Sequence, residues 1–187
     1  MFPFRKSGEP HALSVAMTGV RLGDQLLQIG CVDPVLLGAL GSKVGLSGRA
    51  AVAVASDAME TRARQGAERA GVLIDVERTD LKKLPFSDSA FNLVVVDSTA
   101  DLLGSLTDES RRVLAEEAAR VLAPRGRIIV IETGRPVGLT RLFRRPPPIN
   151  TAYQASGGSV DTLKGAGFRA VRTLADRGGM VFVEGTR

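Results

Sequence analysis

Short, uninterrupted apolar segments alternate with helical patterns along this chain, and this alternation limits the fold more than any other sequence feature. Seven segments have the length and apolar character of strands: residues 25–30, 50–55, 72–77, 92–97, 127–132, 169–174 and 180–184. Helical patterns lie at residues 34–44, 57–70, 107–122 and 159–165. Runs such as AAVAVA and NLVVVD are apolar on both faces, which is typical of parallel strands covered by helices on both sides. The sequence therefore predicts an α/β, doubly wound, mostly parallel sheet.

The last two predicted strands are joined by the turn sequence Asp176-Arg177-Gly178-Gly179, which is typical of a hairpin. The hairpin makes the final strand antiparallel. In open sheets of this kind, ligands bind beyond the carboxyl ends of the strands. The candidate functional residues are therefore those after the first five strands: residues 30–34, 55–57, 79–81, 97–101 and 133–135.

The size and cysteine content exclude several classes of protein. A chain of 187 residues, 44% of them hydrophobic, fits one domain over residues 1–187. Within it we predict a helical N-terminal segment at 1–22 and a variable loop rich in Arg and Pro at 133–155. One cysteine and one histidine exclude a disulfide framework and a zinc or other metal site built on Cys or His. No apolar run is long enough for a transmembrane segment, and the N-terminus MFPFRKSGEP has charges where a secretory signal is apolar, so we expect a cytoplasmic protein.

The net charge of +5 raises the question of a nucleic-acid partner. The basic residues are spread along the chain, and many lie beside glutamates on predicted helices, as Glu60 and Arg64 do. Aromatic residues make up 4% of the chain, and none lies in a basic run as base stacking requires. We therefore expect no nucleic-acid partner.

The residues after the first predicted strand limit the ligand. Gly30 lets the chain turn sharply and lets a ligand approach backbone N–H groups, although an ordinary tight turn has the same requirement. Asp33 can cap the next helix, but its negative charge repels a phosphate. This argues against a dinucleotide or a nucleoside triphosphate.

Several stretches resemble the class I S-adenosylmethionine-dependent methyltransferases. These are GDQLLQIGC, SDAMETRARQGAERAG, TDLKKLPFSDSAFNLVVVD, EEAARVLAPRGRIIVIE and, near the C-terminus, GFRAVRTLADRGGMVFVEG. The similarity is greatest to the small-molecule branch, methyltransferase type 11, which contains the ubiquinone/menaquinone methyltransferases. It implies a Rossmann-like sheet of seven strands and methyl transfer from S-adenosylmethionine to a small-molecule acceptor.

The resemblance also assigns residues by matching position. The loop of Gly30 and Cys31 is expected to hold the methionine end of the cofactor. The pair Asp80 and Leu81 is expected to face the adenine. The residues after the fourth strand, Asp97 and Ser98, are expected to flank the methyl group. No catalytic residue is assigned, because the resemblance names none here.

Four positions depart from the family pattern. Gln28 replaces the leading acid of the first loop, and Val32 and Pro34 replace its second and third glycines. The acid that binds the ribose falls on Val54, whose side chain cannot accept a hydrogen bond. Two hypotheses follow: a methyltransferase, or a non-catalytic binding or interaction module whose cofactor pocket has decayed.

Ser56 and Asp57 lie just beyond that position, at the start of the next predicted helix. Either residue can cap the helix. Asp57 can instead reach the ribose and take the role of the missing acid.

Three further side chains are candidates for a functional role. Cys31 is a small buried residue or a nucleophile, and the first is favoured because no base is paired with it. His11 is a surface residue or a general base. Tyr153, the only tyrosine, lies in the variable loop and is a candidate to line a substrate pocket.

The variable loop contains Arg135, Arg141, Arg144 and Arg145 and no acid, and three prolines follow. We interpret these arginines as a clamp for an acidic substrate, a contact with anionic lipid, or a solvated loop. The loop is short, so a substrate pocket here is open or is completed by another subunit of a homo-oligomer.

Overall fold

The computed structural model describes residues 11–134, 150–177 and 179–187. Its strands are β1 (Gln25–Ile29), β2 (Arg49–Val54), β3 (Asp75–Arg78), β4 (Phe91–Ser98), β5 (Leu122–Thr133), β6 (Arg169–Arg177) and β7 (Met180–Thr186). They form one seven-stranded sheet in the order β3-β2-β1-β4-β5-β7-β6. Strands β1 to β5 pair in parallel, whereas β7 is antiparallel to both of its neighbours. The predicted mostly parallel sheet and its C-terminal hairpin are confirmed.

The helices are α1 (Ala12–Thr18), α2 (Pro34–Val44), α3 (Asp57–Ala70), α4 (Leu102–Ser105), α5 (Asp108–Val121), α6 (Thr151–Ala155) and α7 (Gly158–Gly165). The predicted bounds of α2 and α3 are confirmed, because local caps set them. The Asp33 carboxylate accepts a hydrogen bond from Val35 N at 2.8 Å, and Ser56 Oγ accepts one from Met59 N at 3.3 Å. Among the described residues, no helix is both long and apolar enough to cross a membrane.

Four elements differ from the prediction: two strands in their extent, and two short helices that were not predicted. The third strand begins at Asp75 rather than at residue 72, and α4 and α6 were not predicted, since four or five residues are too few to show a period. Strand β5 begins at Leu122 and runs through Pro124, where the sequence predicted only the end of a helix. Strand β7 pairs with β5 only from Arg127 onward, so the N–H that Pro124 lacks is not needed on that side.

Both faces of the sheet are buried. Leu27 and Ile29 of β1 face a core that includes Leu114 of α5 and Leu163 of α7. Leu26, one residue away on β1, belongs to the opposite core, which contains residues from α2. This alternation is why the central strands are apolar without interruption.

Helices α2 and α3 touch through glycines. A Cβ on Gly66 would lie 2.4 Å from the carbonyl oxygen of Pro34, and one on Gly38 would lie 2.8 Å from the carbonyl oxygen of Gly66. This contact packs the helix that follows β1 directly against the helix that follows β2.

We predict that Gly66→Ala lowers the free energy of unfolding by about 1–3 kcal/mol, because its Cβ overlaps a backbone atom that cannot move alone. Gly165→Ala is the matched control, because it also lies in a helix and its Cβ would have no atom within 4 Å. The control should be neutral or stabilising by up to about 1 kcal/mol. Urea unfolding of both variants measures the difference, and equal effects would contradict the prediction.

Candidate functional site

Gly30 makes the turn that follows β1. Its φ is +81°, and its N–H donates to the carbonyl of Ala53 at 2.8 Å. A Cβ at this position would lie 2.9 Å from the carbonyl oxygen of Asp97 and 3.1 Å from Leu102 Cδ2. Glycine is therefore required so that the turn can approach the end of β4.

Asp97 joins this turn to the end of β4. Its carboxylate is fully buried, and Oδ2 accepts a hydrogen bond from Val32 N at 2.8 Å. The other oxygen, Oδ1, accepts from Thr99 Oγ1 at 2.6 Å and from Thr99 N at 3.3 Å. The neighbouring Ser98 is also buried, and its Oγ accepts from Leu103 N at 3.0 Å at the start of α4. Both residues that the resemblance assigned to the methyl group thus fix the backbone at the carboxyl end of β4.

Gln28 contacts the same turn from β1. Its side chain is fully buried, and Nε2 donates to the carbonyl of Gly30 at 2.8 Å. Its Oε1 has no hydrogen-bond partner among the described residues. The turn is therefore held by an amide from β1 and by a carboxylate from β4.

Cys31 and Val54 form part of one apolar cluster beneath the rim. Burial, and after it the charge of Asp97, raises the pKa of the Cys31 thiol to about 12. The thiol is protonated at neutral pH, so the interpretation as a small buried residue is confirmed. Val54 is fully buried, so no acceptor for a ribose stands at the end of β2 itself.

An open groove lies just beyond Val54, between the ends of β2 and β3. It is lined by Ala55, Ser56, Asp57, Arg78, Thr79 and Asp80. Of the two residues that the sequence allows as the cap of α3, Ser56 is the one that caps it. The Asp57 carboxylate is exposed and pairs with the Arg78 guanidinium. The structure thus brings Ser56, Asp57 and Asp80 together.

Asp80 is exposed at this groove, and its Oδ1 accepts a hydrogen bond from Lys82 N at 3.0 Å in a local turn. The next residue, Leu81, has a positive φ of 63° while its side chain is buried in the core. A left-handed leucine is strained, and it persists here because the core holds its side chain.

His11 reaches the rim from the start of the described chain. Its Nε2 lies 3.1 Å from the Asp33 carboxylate, which caps α2, and about a fifth of the imidazole is exposed. No local sequence pattern connects His11 with Asp33, so this contact was not predicted.

A buried polar cluster lies at the end of β5 and was also missed. Glu132 accepts hydrogen bonds from Tyr153 Oη at 3.0 Å and from Ser159 Oγ at 2.9 Å. The guanidinium of Arg111 lies 4.2 Å from the centre of the Tyr153 ring. Burial raises the pKa of Glu132, and burial together with the Glu132 charge raises the pKa of Tyr153. Tyr153 was predicted to line a substrate pocket, and the structure places its hydroxyl on Glu132 inside the protein.

The arginine loop lies outside the described residues, with Arg135, Arg141, Arg144 and Arg145. Its interpretation as a clamp for an acidic substrate, a lipid contact or a solvated loop stays a prediction.

Comparison with known sequences identifies relatives. The family described as "Methyltransferase domain" matches residues 27–130, which is more than half of the chain. The ubiquinone/menaquinone biosynthesis C-methyltransferase of Idiomarina loihiensis is 29% identical over 129 residues, covering 68% of this chain and 49% of that protein. The enzyme of the same name from Teredinibacter turnerae is 31% identical over 136 residues, covering 70% of this chain and 53% of its own. The chain spans about half the length of the curated relatives it matches.

Solved structures share the fold. A SAM-dependent methyltransferase from Aquifex aeolicus superposes with a TM-score of 0.72 at 19% identity, covering 95% of this chain and 93% of that one. PigF with SAH gives a TM-score of 0.64 at 17% identity, covering 95% of this chain and 56% of that one.

We predict opposite pH dependences for two buried or partly buried glutamates. The folded-state pKa of Glu132 is raised above 4.5 by burial, so its contribution to stability is present below pH 4.5 and is lost as the pH rises. The free energy of unfolding of Glu132→Gln, relative to the wild type, should therefore increase between pH 4.5 and pH 8.

Glu117→Gln is the matched control. The hydrogen bond from Arg120 lowers the pKa of Glu117, so its contribution is present above pH 4.5 and is lost as the pH falls. This variant should become less stable relative to the wild type as the pH rises toward 4.5, and the difference should change little between pH 4.5 and pH 8. Denaturant unfolding at several pH values measures both trends, and trends of the same sign would contradict the assignment.

Proposed function

The chain belongs to the methyltransferase domain family, and we propose that it transfers a methyl group from S-adenosylmethionine to a small-molecule acceptor. The proposal is supported by the open groove between the ends of β2 and β3, where Asp80 and Ser56 are available beside the turn after β1. Room and polar groups are what a nucleoside needs at this edge of a parallel sheet.

The charge at this edge also suits the cofactor. Each of the first five strands ends in or near a carboxylate: Asp33, Asp57, Asp80, Asp97 and Glu132. The chain as a whole carries a net charge of +5, so this grouping of acids is local. Asp57 pairs with Arg78, Asp33 contacts His11 and Glu132 is buried, which leaves Asp80 and Asp97 to favour S-adenosylmethionine, whose sulfonium and ammonium outweigh its one carboxylate.

The residues have the following roles in the proposal. The exposed carboxylate of Asp80 accepts from the adenine amino group, beside the Leu81 backbone. Ser56 and Asp57 serve the ribose hydroxyls, because Val54 cannot. The pair of Asp57 with Arg78 must open for this, which costs little because exposed ion pairs contribute about 0–1 kcal/mol.

In the proposal, the methionine and methyl end of the cofactor lies against the backbone of Gly30 and Cys31 and against the end of β4, where Asp97 and Ser98 lie. The bound cofactor supplies an already activated methyl group on a sulfonium. The protein therefore has to position the acceptor and exclude water, and positioning alone accounts for large rate effects. For this reason the proposal requires no general base.

A second candidate is a non-catalytic binding or interaction module with a decayed cofactor pocket. The fully buried Val54 favours it, and so does the Val32 amide, which Asp97 already occupies. The two candidates differ in whether the cofactor binds at all.

We predict that calorimetric titration detects binding of S-adenosylmethionine and S-adenosylhomocysteine, and that Asp80→Asn weakens both about 10- to 100-fold. Loss of a charged hydrogen-bond partner has this magnitude. Asp88→Asn is the control, because Asp88 is also an exposed aspartate of this turn region but pairs with Arg120. No heat and no thermal shift at millimolar cofactor would favour the non-catalytic module.

The ribose assignment makes a separate prediction on the Asp57–Arg78 pair. Asp57→Ala should weaken both ligands about tenfold, because an acceptor is lost. Arg78→Ala should leave affinity unchanged or raise it by up to about fivefold, because Asp57 is released from its ion pair. If both variants bind as the wild type does, the ribose lies elsewhere.

A further inference from the structure

Three leucines form an exposed apolar patch at the amino edge of the sheet. Leu22, Leu46 and Leu73 lie in the turns just before β1, β2 and β3, and they are 75%, 98% and 88% exposed. They neighbour one another, because a Cβ on Gly45 would lie 2.5 Å from Leu22 Cδ1, and Gly45, Leu46 and Leu73 line one groove. Large apolar side chains that are this exposed and lie together are typical of an interaction surface. We call them the leucine patch.

Exposed cations accompany the leucine patch along the same edge. Five of them lie at or just before the starts of β1, β2, β3, β5 and β6: Arg21, Lys43, Arg69, Arg125 and Arg169. None of the five forms an ion pair with another residue that the structure describes. Asp75 and Asp88 at this edge already pair with arginines, and the acids Asp24 and Glu68 are fewer than the cations.

The charges of the protein are therefore divided between the two edges of the sheet. Carboxylates follow the strands at the carboxyl edge, whereas exposed cations are in excess at the amino edge. The leucine patch lies at the positive edge. Apolar side chains among long, unpaired cations combine the two forces that hold a protein on an anionic bilayer, which are apolar burial and attraction to the headgroups.

The form of the patch favours a bilayer over a folded partner or a nucleic acid. The three leucines project from three separate turns, and a fluid lipid surface accepts such side chains without a matching shape, whereas a protein interface requires complementary packing. A nucleic acid would bind the cations but gains nothing from exposed leucines. The turns at residues 19–24, 45–48 and 71–74 also contain no aromatic residue on which a base could stack.

We propose that the amino edge of the sheet docks on an anionic lipid bilayer, with the leucine patch among the headgroups and with Arg21, Lys43 and Arg69 against their phosphates. The inference does not depend on methyl transfer, and the surface includes none of the arginines of the variable loop. In this orientation the carboxyl edge, with the groove between the ends of β2 and β3, faces the water.

The test is co-sedimentation of the protein with vesicles of phosphatidylcholine alone and of equimolar phosphatidylcholine and phosphatidylglycerol. We expect the wild type to bind the mixed vesicles about tenfold more tightly than the neutral ones, and added salt to weaken that binding. Failure to bind the mixed vesicles, or equal binding to both kinds, would overturn the inference.

The leucine patch is tested with the double variant Leu46→Ser/Leu73→Ser. Its affinity for the mixed vesicles should fall about tenfold, because two side chains no longer enter the apolar part of the bilayer. Val35→Ser is the matched control, since Val35 is half exposed but lies in the first turn of α2, at the end of that helix away from the patch. The control should bind as the wild type does, and equal losses in the two variants would contradict the proposal.

The cations are tested on one helix. Arg69→Gln should lower the affinity for the mixed vesicles about fivefold. Arg62→Gln is its control, because Arg62 is also exposed on α3 but lies two turns, about 10 Å, farther from the bilayer. That distance is about one Debye length, so the control should lose less than about twofold. Equal losses would show that the amino edge does not face the lipid.

Thermal unfolding of each variant verifies that it is folded, and the exposed positions of Leu46 and Leu73 lead us to expect an unchanged Tm. Sedimentation velocity without vesicles tests the other occupant of the patch. A wild-type dimer that the double leucine variant abolishes, together with no binding to vesicles, would make the patch an interface between two copies of the chain and overturn the inference. Neither result bears on binding of S-adenosylmethionine, so the proposed function stands or fails separately.

Discussion

The close approach of the turn after β1 to the end of β4 is the contact on which the carboxyl edge of this protein depends. Gly30 permits it by having no Cβ, and the Asp97 carboxylate secures it through the Val32 amide. The Gly30 N–H donates to the carbonyl of Ala53, which holds the end of β2 beside this turn. Side chains from distant parts of the chain meet here because the backbone can pack this closely.

Along the carboxyl edge of the sheet, the polar groups are exposed at β2 and β3 and buried at β5. On the side of β2 and β3 the polar groups are exposed, and the pair of Asp57 with Arg78 can open at little cost. On the side of β5, Glu132 and Tyr153 are buried in a closed set of hydrogen bonds that fixes α6 and α7 to the sheet. An adaptable side beside a rigid one suits a site that must bind and release a ligand.

The departures from the family pattern are best understood together. Gln28 lacks the charge of the acid that usually leads the first loop, but its amide donates to the Gly30 carbonyl, which a carboxylate cannot do. A carboxylate reaches the same turn from β4 instead, through Asp97. No carboxylate takes the place of the acid that Val54 replaces at the end of β2. The polar side chains beside that position are those of Ser56 and Asp57.

The sequence alone determined the order and type of the main elements and the bounds of α2 and α3, because apolar periodicity and caps such as Asp33 and Ser56 act over a few residues. It also placed the candidate residues at the strand ends. Only the tertiary structure decided what each of them touches: Asp97 meets Val32, Asp57 meets Arg78, and Glu132 meets Tyr153. These contacts depend on which strand ends are neighbours in the sheet and on how closely the backbone packs there. A local sequence pattern predicts neither property.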